Sequence, residues 1–588
     1  MSTQPEVTVN GITGNGGTAE ADAPLLRVDG LEVTFGSRQK MNSAVRGISF
    51  SLEAGKCLAI VGESGSGKSV TARTLVGLTG FGAQVEARRL ELNGRSLTGL
   101  SNRRWREIRG AQIGFVLQDA LVSLDPLRKV GKEIAEPLRV HGWGTRAERE
   151  EKVVSLLREV GVPEPELRAR QLPHELSGGL RQRALIASAI ALDPSLVIAD
   201  EPTTALDVTV QAQILDLLDA TKERGRGLIL ISHDLAVVSR LADHVAVMKL
   251  GEIVEQGPVD EILGSPKHPY TRALLDAVPA AHSKGTRLAP RADGSYLAAG
   301  EPRIPPPPSG GREPIIVADN LVKSYAGPDG VSRVAVDQVS FEIRPGETLG
   351  ILGESGSGKT TTARIALALI DPDSGNVTLR GKPWTTLREK DRRQRRRRVS
   401  IVYQDPLSSF DPRWTVGRII DDAIAEEDYS GKTARRGRVL ELLSYVGIGE
   451  DLLGRRPLQL SGGQRQRVAI ARALAPQPDL IVCDEPVSAL DVSIQAQVLD
   501  LLTDLQSELG LAYLFISHDL GVIYHVSDRV MVMKDGQVVE TGSADEIFHR
   551  PRQEYTRSLL AALPRLEKRD APERPVVSAI PSIEGTQL

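Results

Sequence analysis

Short apolar runs rich in β-branched residues alternate along this chain with longer segments of helical periodicity. This alternation is typical of α/β units arranged around a largely parallel sheet. Buried strands are predicted at residues 56–61, 113–117, 196–199, 228–231, 348–352, 399–403, 480–483 and 513–516. Each of these runs leads directly into a polar or glycine-rich segment. The pattern therefore predicts an α/β protein in which polar motifs follow buried strands.

The same succession of strands and polar segments occurs twice. Matched residues in the two halves are 284 to 291 positions apart, a drift of only 7 over the whole unit. The matched pairs are Lys68 and Lys359, Gln118 and Gln404, Asp200 and Asp484, His233 and His518, and Tyr270 and Tyr555. Self-similarity of this kind indicates that one domain has been duplicated, with small changes in loop length.

Length and local composition place the boundaries of the two copies. A chain of 588 residues is too long for one hydrophobic core, because such cores rarely exceed roughly 250–300 residues. Residues 1–24, rich in Gly, Thr, Asn and Ala, are predicted to be a disordered tail. A spacer that contains the run EPRIPPPPSGG is predicted at 286–313. The two domains are therefore predicted at 25–285 and 314–566, with a second tail at 567–588.

The overall composition is that of an ordinary globular protein. Apolar residues make up 40% and charged residues 25%, and the formal net charge of −3 provides no global attraction for nucleic acid or an acidic membrane. Cys57 and Cys483, the two cysteines, lie in apolar strand-like runs, which argues against disulfides or a cysteine-ligated cluster. We find no secretory signal and no apolar run near the roughly 18 residues that span a bilayer. The expectation is a soluble protein of a reducing cytosol.

Two glycine-rich loops fit the phosphate-binding pattern G-x-x-x-x-G-K-[ST]. Residues 62–69 read GESGSGKS and residues 353–360 read GESGSGKT. Glycines let backbone N–H groups turn inward around phosphates, and the following helix N-terminus adds a favourable dipole. Lys68 and Lys359 are expected to meet the β- and γ-phosphates, and Ser69 and Thr360 to offer a hydroxyl to Mg²⁺. Two such matches in register, each after a strand, predict two nucleotide sites.

Carboxylates and glutamines follow four further strands. The acidic pairs are Asp200-Glu201 and Asp484-Glu485, and the glutamines are Gln118 and Gln404. A carboxylate at the end of a buried strand can hold Mg²⁺ through water, and its neighbour can polarise an attacking water. The alternative for each pair is a solvated acidic turn. Each glutamine either completes the Mg²⁺ shell or positions water, or else it is a plain surface residue.

A serine and two glycines precede a long apolar helix in each half. Residues 176–183 read LSGGLRQR and residues 460–467 read LSGGQRQR. This arrangement makes an anion-binding nest at a helix N-terminus. Simple capping of the helix by serine explains it equally well.

Taken in order, these motifs resemble the nucleotide-binding domains of ATP-binding cassette (ABC) transporters. The resemblance runs through phosphate loop, glutamine, LSGGQ-type signature, Asp-Glu, Ala-Leu-Asp and Ser-His-Asp in both halves. It implies two tandem ABC-type P-loop NTPase domains, each a RecA-like core with an antiparallel β subdomain and a helical signature subdomain. Family cassettes pair head to tail, so Ser177 and Gly179 would cap the γ-phosphate of ATP on the second loop. Ser461 and Gly463 would do the same for the first.

The resemblance also assigns roles by position. Glu201 and Glu485 match the family's catalytic glutamates, and His233 and His518 match its γ-phosphate-sensing histidines. Residues expected to contact ATP are Phe35, Gly62, Glu63, Ser64, Gly65, Ser66, Gly67, Lys68, Ser69, Ser177, Gly178, Gly179, Asp207, Tyr325, Gly353, Glu354, Ser355, Gly356, Ser357, Gly358, Lys359, Thr360, Ser461, Gly462, Gly463 and Asp491. Within this set the two aromatic residues would stack on adenine and the two aspartates would link the sites. Residues expected around Mg²⁺ are Ser69, Gln118, Asp200, Thr360, Gln404 and Asp484.

A narrower resemblance rests on segments outside these motifs. Pro173-His174-Glu175, the run HPYTRALL at 268–275 and its echo YTRSLL at 555–560 look like the peptide/nickel import ATPases. This implies the energy-coupling subunit of a bacterial importer, most of all for dipeptides or oligopeptides, with glutathione-like compounds and metal chelates left open. Its partners would be two integral-membrane permease subunits docking near the Q-loops and an extracytoplasmic substrate-binding protein. It would lie on the cytoplasmic face of the cell membrane as a peripheral protein.

One departure from this narrower family concerns metal. Many members carry cysteines after the HPYT element that bind an iron–sulfur cluster, and residues 290–308 contain none. We therefore expect ATP and Mg²⁺ as cofactors and no iron–sulfur cluster.

The resemblance also implies a working cycle. A γ-phosphate shared by a phosphate loop and the opposite signature makes ATP a glue between cassettes, and hydrolysis weakens the closed state. A flexible spacer of about 28 residues spans roughly 30 Å, which keeps the cassettes at an effective concentration near millimolar.

Two other protein classes share parts of the pattern. A tandem-cassette translation factor carries a long charged arm between its cassettes, and a DNA-repair cassette protein carries zinc-binding cysteines.

The arginine-rich run at 392–398 could suggest nucleic acid, but it has no interleaved aromatic residues for stacking bases. A solvated helix face that touches partner loops is the favoured alternative, and no nucleic acid is expected.

Overall fold

The computed structural model describes residues 24–562 apart from 38–39, 119–122, 205, 280–283, 290–312, 327–331, 394, 426–428 and 489. The predicted N-terminal tail (except Pro24), the predicted C-terminal tail and most of the predicted spacer therefore lie outside the described residues.

Within the described residues, each half of the chain forms two β-sheets. The strands are β1 (Leu26–Ser37), β2 (Lys40–Leu52), β3 (Cys57–Val61), β4 (Ala83–Glu86), β5 (Arg89–Leu92), β6 (Arg95–Ser96), β7 (Ile113–Val116), β8 (Leu196–Asp200), β9 (Gly227–Ile231), β10 (His244–Lys249), β11 (Glu252–Pro258), β12 (Ile316–Ala326), β13 (Ser332–Ile343), β14 (Thr348–Leu352), β15 (Ser374–Leu379), β16 (Lys382–Pro383), β17 (Val399–Val402), β18 (Leu480–Asp484), β19 (Ala512–Ile516), β20 (Arg529–Lys534) and β21 (Gln537–Ser543).

The central sheet of each half is mainly parallel. Its order is β11-β10-β3-β9-β8-β7 in the first half and β21-β20-β14-β19-β18-β17 in the second, with the β10–β11 and β20–β21 pairs antiparallel. The predicted strands are confirmed within a residue or two at each end. Strand β9 lies between β3 and β8 and runs parallel to both, so the carboxyl ends of these three strands meet at one edge of the sheet. Ligands of open α/β sheets bind at this edge.

A smaller antiparallel sheet covers one face of each central sheet. Its order is β2-β1-β5-β6 in the first half, with β4 also paired to β1, and β13-β12-β15-β16 in the second. The apolar face of β1 and β2 packs with residues of β3, β8 and β9 in one core cluster. The second half repeats this packing and buries Trp384 completely. Burial of such large apolar side chains stabilises the contact between the sheets.

The helices of the two halves also correspond. In the first half they are Lys68–Leu75, Asn102–Ile108, Val130–Val140, Arg146–Glu159, Pro165–Arg168, Gly178–Ala189, Val208–Glu223, Leu235–Leu241, Val259–Gly264 and Pro269–Asp276. In the second half they are Lys359–Ala366, Glu389–Arg392, Val416–Ala423, Lys432–Tyr445, Gly462–Leu474, Val492–Leu509, Leu520–Val526, Ala544–His549 and Glu554–Ala561. Three helices of each half, ending with the one that follows LSGG, pack on one another as a helical subdomain. Over the described ranges, no helix is both long and apolar enough to cross a membrane.

Part of the predicted spacer binds to the second half. Arg287 makes a two-pronged ion pair with Asp504 at 2.7 and 3.0 Å. The backbone N–H groups of Leu288 and Ala289 donate to the Asp500 carboxylate at 3.2 and 2.9 Å. Leu288 is 1% exposed and belongs to the core of the second half. The spacer is therefore anchored at its first residues, and residues 290–312 lie outside the described residues.

The arginine-rich run at 392–398 is engaged within its own half. Arg392 is buried and donates to Asp371 at 2.7 Å, and Arg396 pairs with Glu389 at 2.8 Å. Arg398 lies 3.4 Å from the Asp479 carboxylate. Burial therefore removes Arg392 from the predicted solvated face, whereas the Arg398 side chain stays 57% exposed and belongs to it.

Candidate functional site

The first phosphate loop connects β3 to helix Lys68–Leu75 through backbone conformations that need glycine. Gly62, Gly65 and Gly67 have φ values of 148°, 78° and 103°. A Cβ on Gly62 would lie 2.2 Å from the Met248 carbonyl oxygen, closer than any real contact. Gly353 of the second loop is in the same position, 2.3 Å from the Met533 carbonyl. The glycines therefore let each loop lie against the neighbouring strand and turn its N–H groups inward.

The lysine of each loop is buried and held by the loop's own carbonyl groups. The Lys68 ammonium donates to the carbonyls of Gly62 and Glu63 at 2.6 and 2.8 Å. Lys359 makes the equivalent bonds at 2.8 and 2.7 Å. Burial lowers the pKa of both lysines, although several carboxylates nearby oppose this shift. A desolvated cation at the mouth of an N–H nest is suited to bind phosphate.

The carboxylate beside each loop has the environment of a metal ligand. The Ser69 hydroxyl donates to Asp200 Oδ1 at 3.1 Å, while Asp200 Oδ2 is buried without a hydrogen-bond partner. Burial raises the pKa of Asp200, and the Glu201 charge adds to that effect. In the second half, Thr360 lies 3.5 Å from Asp484. A hydroxyl next to an unsatisfied carboxylate oxygen fits the hard oxygen ligands that Mg²⁺ prefers.

The two predicted catalytic glutamates are each held by a glutamine and a histidine. Glu201 accepts from Gln118 Nε2 at 2.7 Å and from Thr204 at 3.1 Å, and it lies 3.3 Å from His233 Nδ1. Glu485 repeats this geometry in the second half. Gln404 Nε2 donates to it at 2.7 Å, and His518 Nδ1 lies at 3.3 Å. In each half, the structure therefore brings together a glutamine, a glutamate and a histidine that the sequence predicted separately. They follow β7, β8 and β9 in the first half and β17, β18 and β19 in the second.

Each glutamate has a backbone conformation that its residue type rarely adopts. The φ values of Glu201 and Glu485 are 49° and 50°, in the left-handed region. Such a conformation costs of order 1 kcal/mol or more for a residue with a Cβ. It turns the side chain from the end of the strand toward the histidine and glutamine. No pattern in the sequence predicts this turn.

Opposing effects set the protonation of the glutamate–histidine pairs. Burial lowers the pKa of His233, but its hydrogen bond with Glu201 and the charges of Glu201, Asp234 and Asp491 outweigh burial and raise it. Burial alone would raise the pKa of Glu201, but His233, Thr204 and Lys68 together lower it. The pair in the second half shifts in the same directions. Each pair is thus biased toward a charged carboxylate and a charged imidazole.

The signature serines cap the helices that follow them, and the two halves differ. Ser177 accepts the Leu180 N–H at 3.4 Å. Ser461 accepts the Gln464 N–H at 3.2 Å, and Gln464 Oε1 accepts the Ser461 N–H at 3.0 Å in return. The apolar side chain of Leu180 cannot make this reciprocal bond, so only the second helix has a complete capping box. The predicted contact of these serines with a γ-phosphate stays a prediction.

The two halves meet at their phosphate loops. Asp491, the N-cap of helix Val492–Leu509, accepts the Ser64 N–H of the first loop at 2.7 Å. Thr209 of the first half donates to Glu354 of the second loop at 2.7 Å. Each loop therefore faces the segment that follows the Asp-Glu strand of the other half.

A cavity of about 480 Å³ shows which residues share the second composite site. Asp207 from the first half lines it together with Ser355, Gly356, Lys359, Thr360, Tyr325, Gln404, Glu485 and His518. Tyr325, predicted to stack on adenine, is thus beside the second loop. Phe35 instead lies partly buried against the core of the first antiparallel sheet, and its adenine contact stays a prediction.

Two tyrosines in contact with the loops were not among the predicted site residues. The Tyr270 hydroxyl accepts the Glu63 N–H at 3.2 Å, and the Tyr555 hydroxyl accepts the Glu354 N–H at 3.4 Å. Both lie in the repeated Tyr-Thr-Arg segment, matched at the same offset as the histidines. That repetition was the signal that could have identified them.

Comparison with known proteins identifies the family. The model described as "ABC transporter" matches residues 45–204 and 336–488, more than half of the chain. This chain belongs to the ABC transporter family. The model described as "Oligopeptide/dipeptide transporter, C-terminal region" also matches twice, at residues 254–300 and 539–585. Two copies of a P-loop NTPase cassette, each with this C-terminal region, account for the internal repeat.

Two relatives of similar length are informative. The glutathione import ATP-binding protein GsiA of Escherichia coli (strain K12) is 44% identical over 573 residues, which cover 94% of this chain and 92% of the relative. The oligopeptide transport ATP-binding protein OppD of Mycobacterium tuberculosis is 43% identical over 607 residues, covering 92% and 99%. This chain is therefore the ATP-binding subunit of an ABC importer and an ATPase coupled to transport. The predicted family and the predicted fold class are confirmed.

The predictions for Mg²⁺ and for an iron–sulfur cluster have different support. ATP with Mg²⁺ is general for this family, and the donors around Asp200 fit the ion. Among the described residues, no group of three or more His, Cys, Asp or Glu is placed to hold a metal by itself. Cys57 and Cys483 are both buried, and burial raises the pKa of the Cys483 thiol. The absence of an iron–sulfur cluster remains a prediction, because residues 290–308 lie outside the described residues.

Proposed function

We propose that this ATPase drives import of short peptides through two permease subunits. The main support is the peptide-transporter C-terminal region, which occurs in both cassettes and contacts both phosphate loops through Tyr270 and Tyr555. One relative is named for glutathione import and the other for oligopeptide transport. Glutathione is itself a tripeptide, so both names point to one substrate class. The same relatives favour the importer over the tandem-cassette translation factor.

In the proposed cycle, ATP binds at each phosphate loop and is closed in by the opposite cassette. Lys68 and Lys359 would bind the β- and γ-phosphates, and the signature residues around Ser177 and Ser461 would meet the γ-phosphate from across the interface. Ser69 with Asp200, and Thr360 with Asp484, would hold Mg²⁺, with Gln118 and Gln404 able to join. When bound, the ion neutralises phosphate charge and orients the leaving group.

Hydrolysis is proposed to depend on the two glutamate–histidine pairs. The Glu201 carboxylate is charged and directed by His233, so it is suited to polarise a water for attack on the γ-phosphate. Loss of the γ-phosphate then removes the charge shared by the cassettes and weakens their contact. Glu485 and His518 do the same in the second site.

The proposed partners follow from this cycle. Permease subunits would dock near the Q-loops, and a substrate-binding protein would deliver peptide from outside the cell. The ATPase would then lie as a peripheral protein on the cytoplasmic face of the membrane. With domain boundaries proposed at 25–285 and 314–566, each cassette would dock against one permease subunit.

A transport assay tests this proposal. The full chain would be co-expressed with candidate permease subunits from the same genome, purified as a complex and placed in liposomes with a candidate binding protein. We expect short peptides to stimulate ATPase activity and to accumulate inside, and the Glu201→Gln/Glu485→Gln double variant to bind ATP without transport. Stimulation by a nickel chelate and not by any peptide would contradict the proposed substrate class.

A further inference from the structure

Two tyrosine hydroxyl groups reach the phosphate loops from outside the nucleotide-binding motifs. Tyr270 lies at the start of helix Pro269–Asp276, and Tyr555 lies at the start of helix Glu554–Ala561. The Tyr270 Oη accepts the N–H of Glu63 at 3.2 Å, and the Tyr555 Oη accepts the N–H of Glu354 at 3.4 Å. Both bonds join the C-terminal region of a cassette to the second residue of its own phosphate loop.

The peptide unit that receives this bond also holds the phosphate-loop lysine. The N–H of Glu63 and the carbonyl of Gly62 belong to one planar peptide. That carbonyl accepts from the Lys68 ammonium at 2.6 Å. A rotation of the peptide would therefore move the lysine's anchor as well as the tyrosine's partner. The second loop has the same chain of bonds, because the Gly353 carbonyl accepts from Lys359 at 2.8 Å.

Each tyrosine is itself firmly held. The ammonium of Lys249 lies 4.7 Å from the centre of the Tyr270 ring, and Lys534 lies 4.8 Å from that of Tyr555. The Tyr270 N–H donates to His268 Nδ1 at 3.1 Å, which caps the helix. Burial raises the pKa of both phenols to about 12, so they remain neutral. A neutral, fixed hydroxyl can act as a constant hydrogen-bond partner for the loop.

The neighbouring atoms of each loop are held by the opposite cassette. Ser64, next to Glu63, donates its N–H to Asp491 of the second cassette at 2.7 Å. The Glu354 carboxylate accepts from Thr209 of the first cassette at 2.7 Å. The tyrosine thus fixes the loop from its own cassette at the point where the partner cassette makes contact.

We propose that Tyr270 and Tyr555 are positioning residues of the ATPase reaction, each fixing the peptide whose carbonyl holds the phosphate-loop lysine. They act through the loop and the lysine and do not touch the nucleotide. This inference rests on the proposed ATP sites at the two phosphate loops. It gives the C-terminal region of each cassette in this chain a direct role in setting the geometry of phosphate binding.

The test removes only the hydroxyl groups. Tyr270→Phe and Tyr555→Phe, singly and together, keep the ring and its packing. Loss of one hydrogen bond to the loop should weaken MgATP binding about two- to tenfold at each affected site. We expect KM for MgATP to rise by the same factor while kcat changes less. The change in unfolding temperature should be no larger than the change caused by Tyr524→Phe. Tyr524 is the matched control, since its hydroxyl contacts Asp545 and His549 at the surface of the second cassette.

A double-variant cycle separates positioning from a general structural effect. If Tyr270 acts through Lys68, then Tyr270→Phe in a Lys68→Met chain should weaken MgATP binding much less than it does alone. Equal losses in the two backgrounds would overturn the proposal. So would unchanged affinity and KM in the double Tyr270→Phe/Tyr555→Phe variant when the unsubstituted chain binds MgATP normally. A failure of that chain to bind MgATP would instead overturn the proposed ATP sites, and this inference with them.

Discussion

At the scale of single residues, the two glutamate–histidine pairs decide how the catalytic groups are charged. Each histidine lies 3.3 Å from a glutamate oxygen and is mostly buried. The hydrogen bond with Glu201 and the surrounding carboxylates raise the pKa of His233 above its usual 6.5. His233, Thr204 and Lys68 lower the pKa of Glu201 below its usual 4.5. The pair therefore couples the stability of the site to pH.

The pH dependence of stability follows from the signs of these shifts. The raised pKa of His233 adds stability that is complete below 6.5 and is lost as the pH rises through the folded value. The lowered pKa of Glu201 adds stability that is present above 4.5 and is lost as the pH falls through the folded value. A His233→Gln/His518→Gln variant should therefore lose most unfolding temperature near pH 6 and less near about pH 9. Thermal unfolding at both pH values checks this, and equal losses at both would contradict it.

Single residues also show where sequence reasoning ended. The phosphate loops and acidic pairs could be predicted because their residue types after buried strands suit phosphate and Mg²⁺. The roles of the glutamines and histidines rested on their repetition in both halves and on the family resemblance. The left-handed conformation of Glu201 could not, because it depends on the strands and loops that surround it. Tyr270 could not be given a role either, since its contact with Glu63 joins residues 207 positions apart.

At the scale of elements, the attachment of residues 287–289 distinguishes the two cassettes. Asp500 is 3% exposed because the spacer covers it, and it accepts two backbone N–H groups. The matching residue of the first cassette, Asp216, has a side chain that is 69% exposed and pairs with Arg240. A repeated sequence has thus acquired two different environments at one position. Sequence predicted the spacer from its prolines, but its docking depends on a groove that only the folded second cassette forms.

The spacer contact has a measurable cost when it is removed. Asp500→Ala leaves two buried N–H groups without an acceptor, and each such group costs about 1–3 kcal/mol. We expect the second cassette to lose about 2–6 kcal/mol in free energy of unfolding, measured by chemical denaturation. Asp216→Ala, the matched control on the exposed surface of the first cassette, should change the free energy of unfolding by less than about 0.5 kcal/mol. Similar effects of the two substitutions would show that the spacer does not stabilise the second cassette.

At the scale of the whole molecule, fusion places two composite sites in one chain. Each site combines a phosphate loop of one cassette with residues such as Asp207 or Asp491 of the other. Head-to-tail pairing was implied by family resemblance alone, and no periodicity within one half could have predicted it. In the structure, the contacts of Ser64 with Asp491 and of Thr209 with Glu354 bring each phosphate loop against the opposite cassette.

The two sites keep the same set of predicted catalytic residues. Lysine, serine or threonine, aspartate, glutamate, glutamine and histidine are present and similarly bonded in both halves. The visible difference is Leu180 against Gln464, which changes the capping of the signature helix and leaves Ser177, Gly178 and Gly179 in place. We therefore expect both sites to bind MgATP and to hydrolyse it, with rates that differ between them.

The number of MgATP molecules bound per chain tests this central claim most directly. The measurement uses the full chain with Glu201→Gln and Glu485→Gln, because both substitutions remove the proposed general bases and preserve the phosphate loops. Equilibrium binding of MgATP, with the chain concentration fixed by amino-acid analysis, should reach a plateau at two per chain. A plateau at one, in chains that are fully folded, would contradict the account of two competent sites.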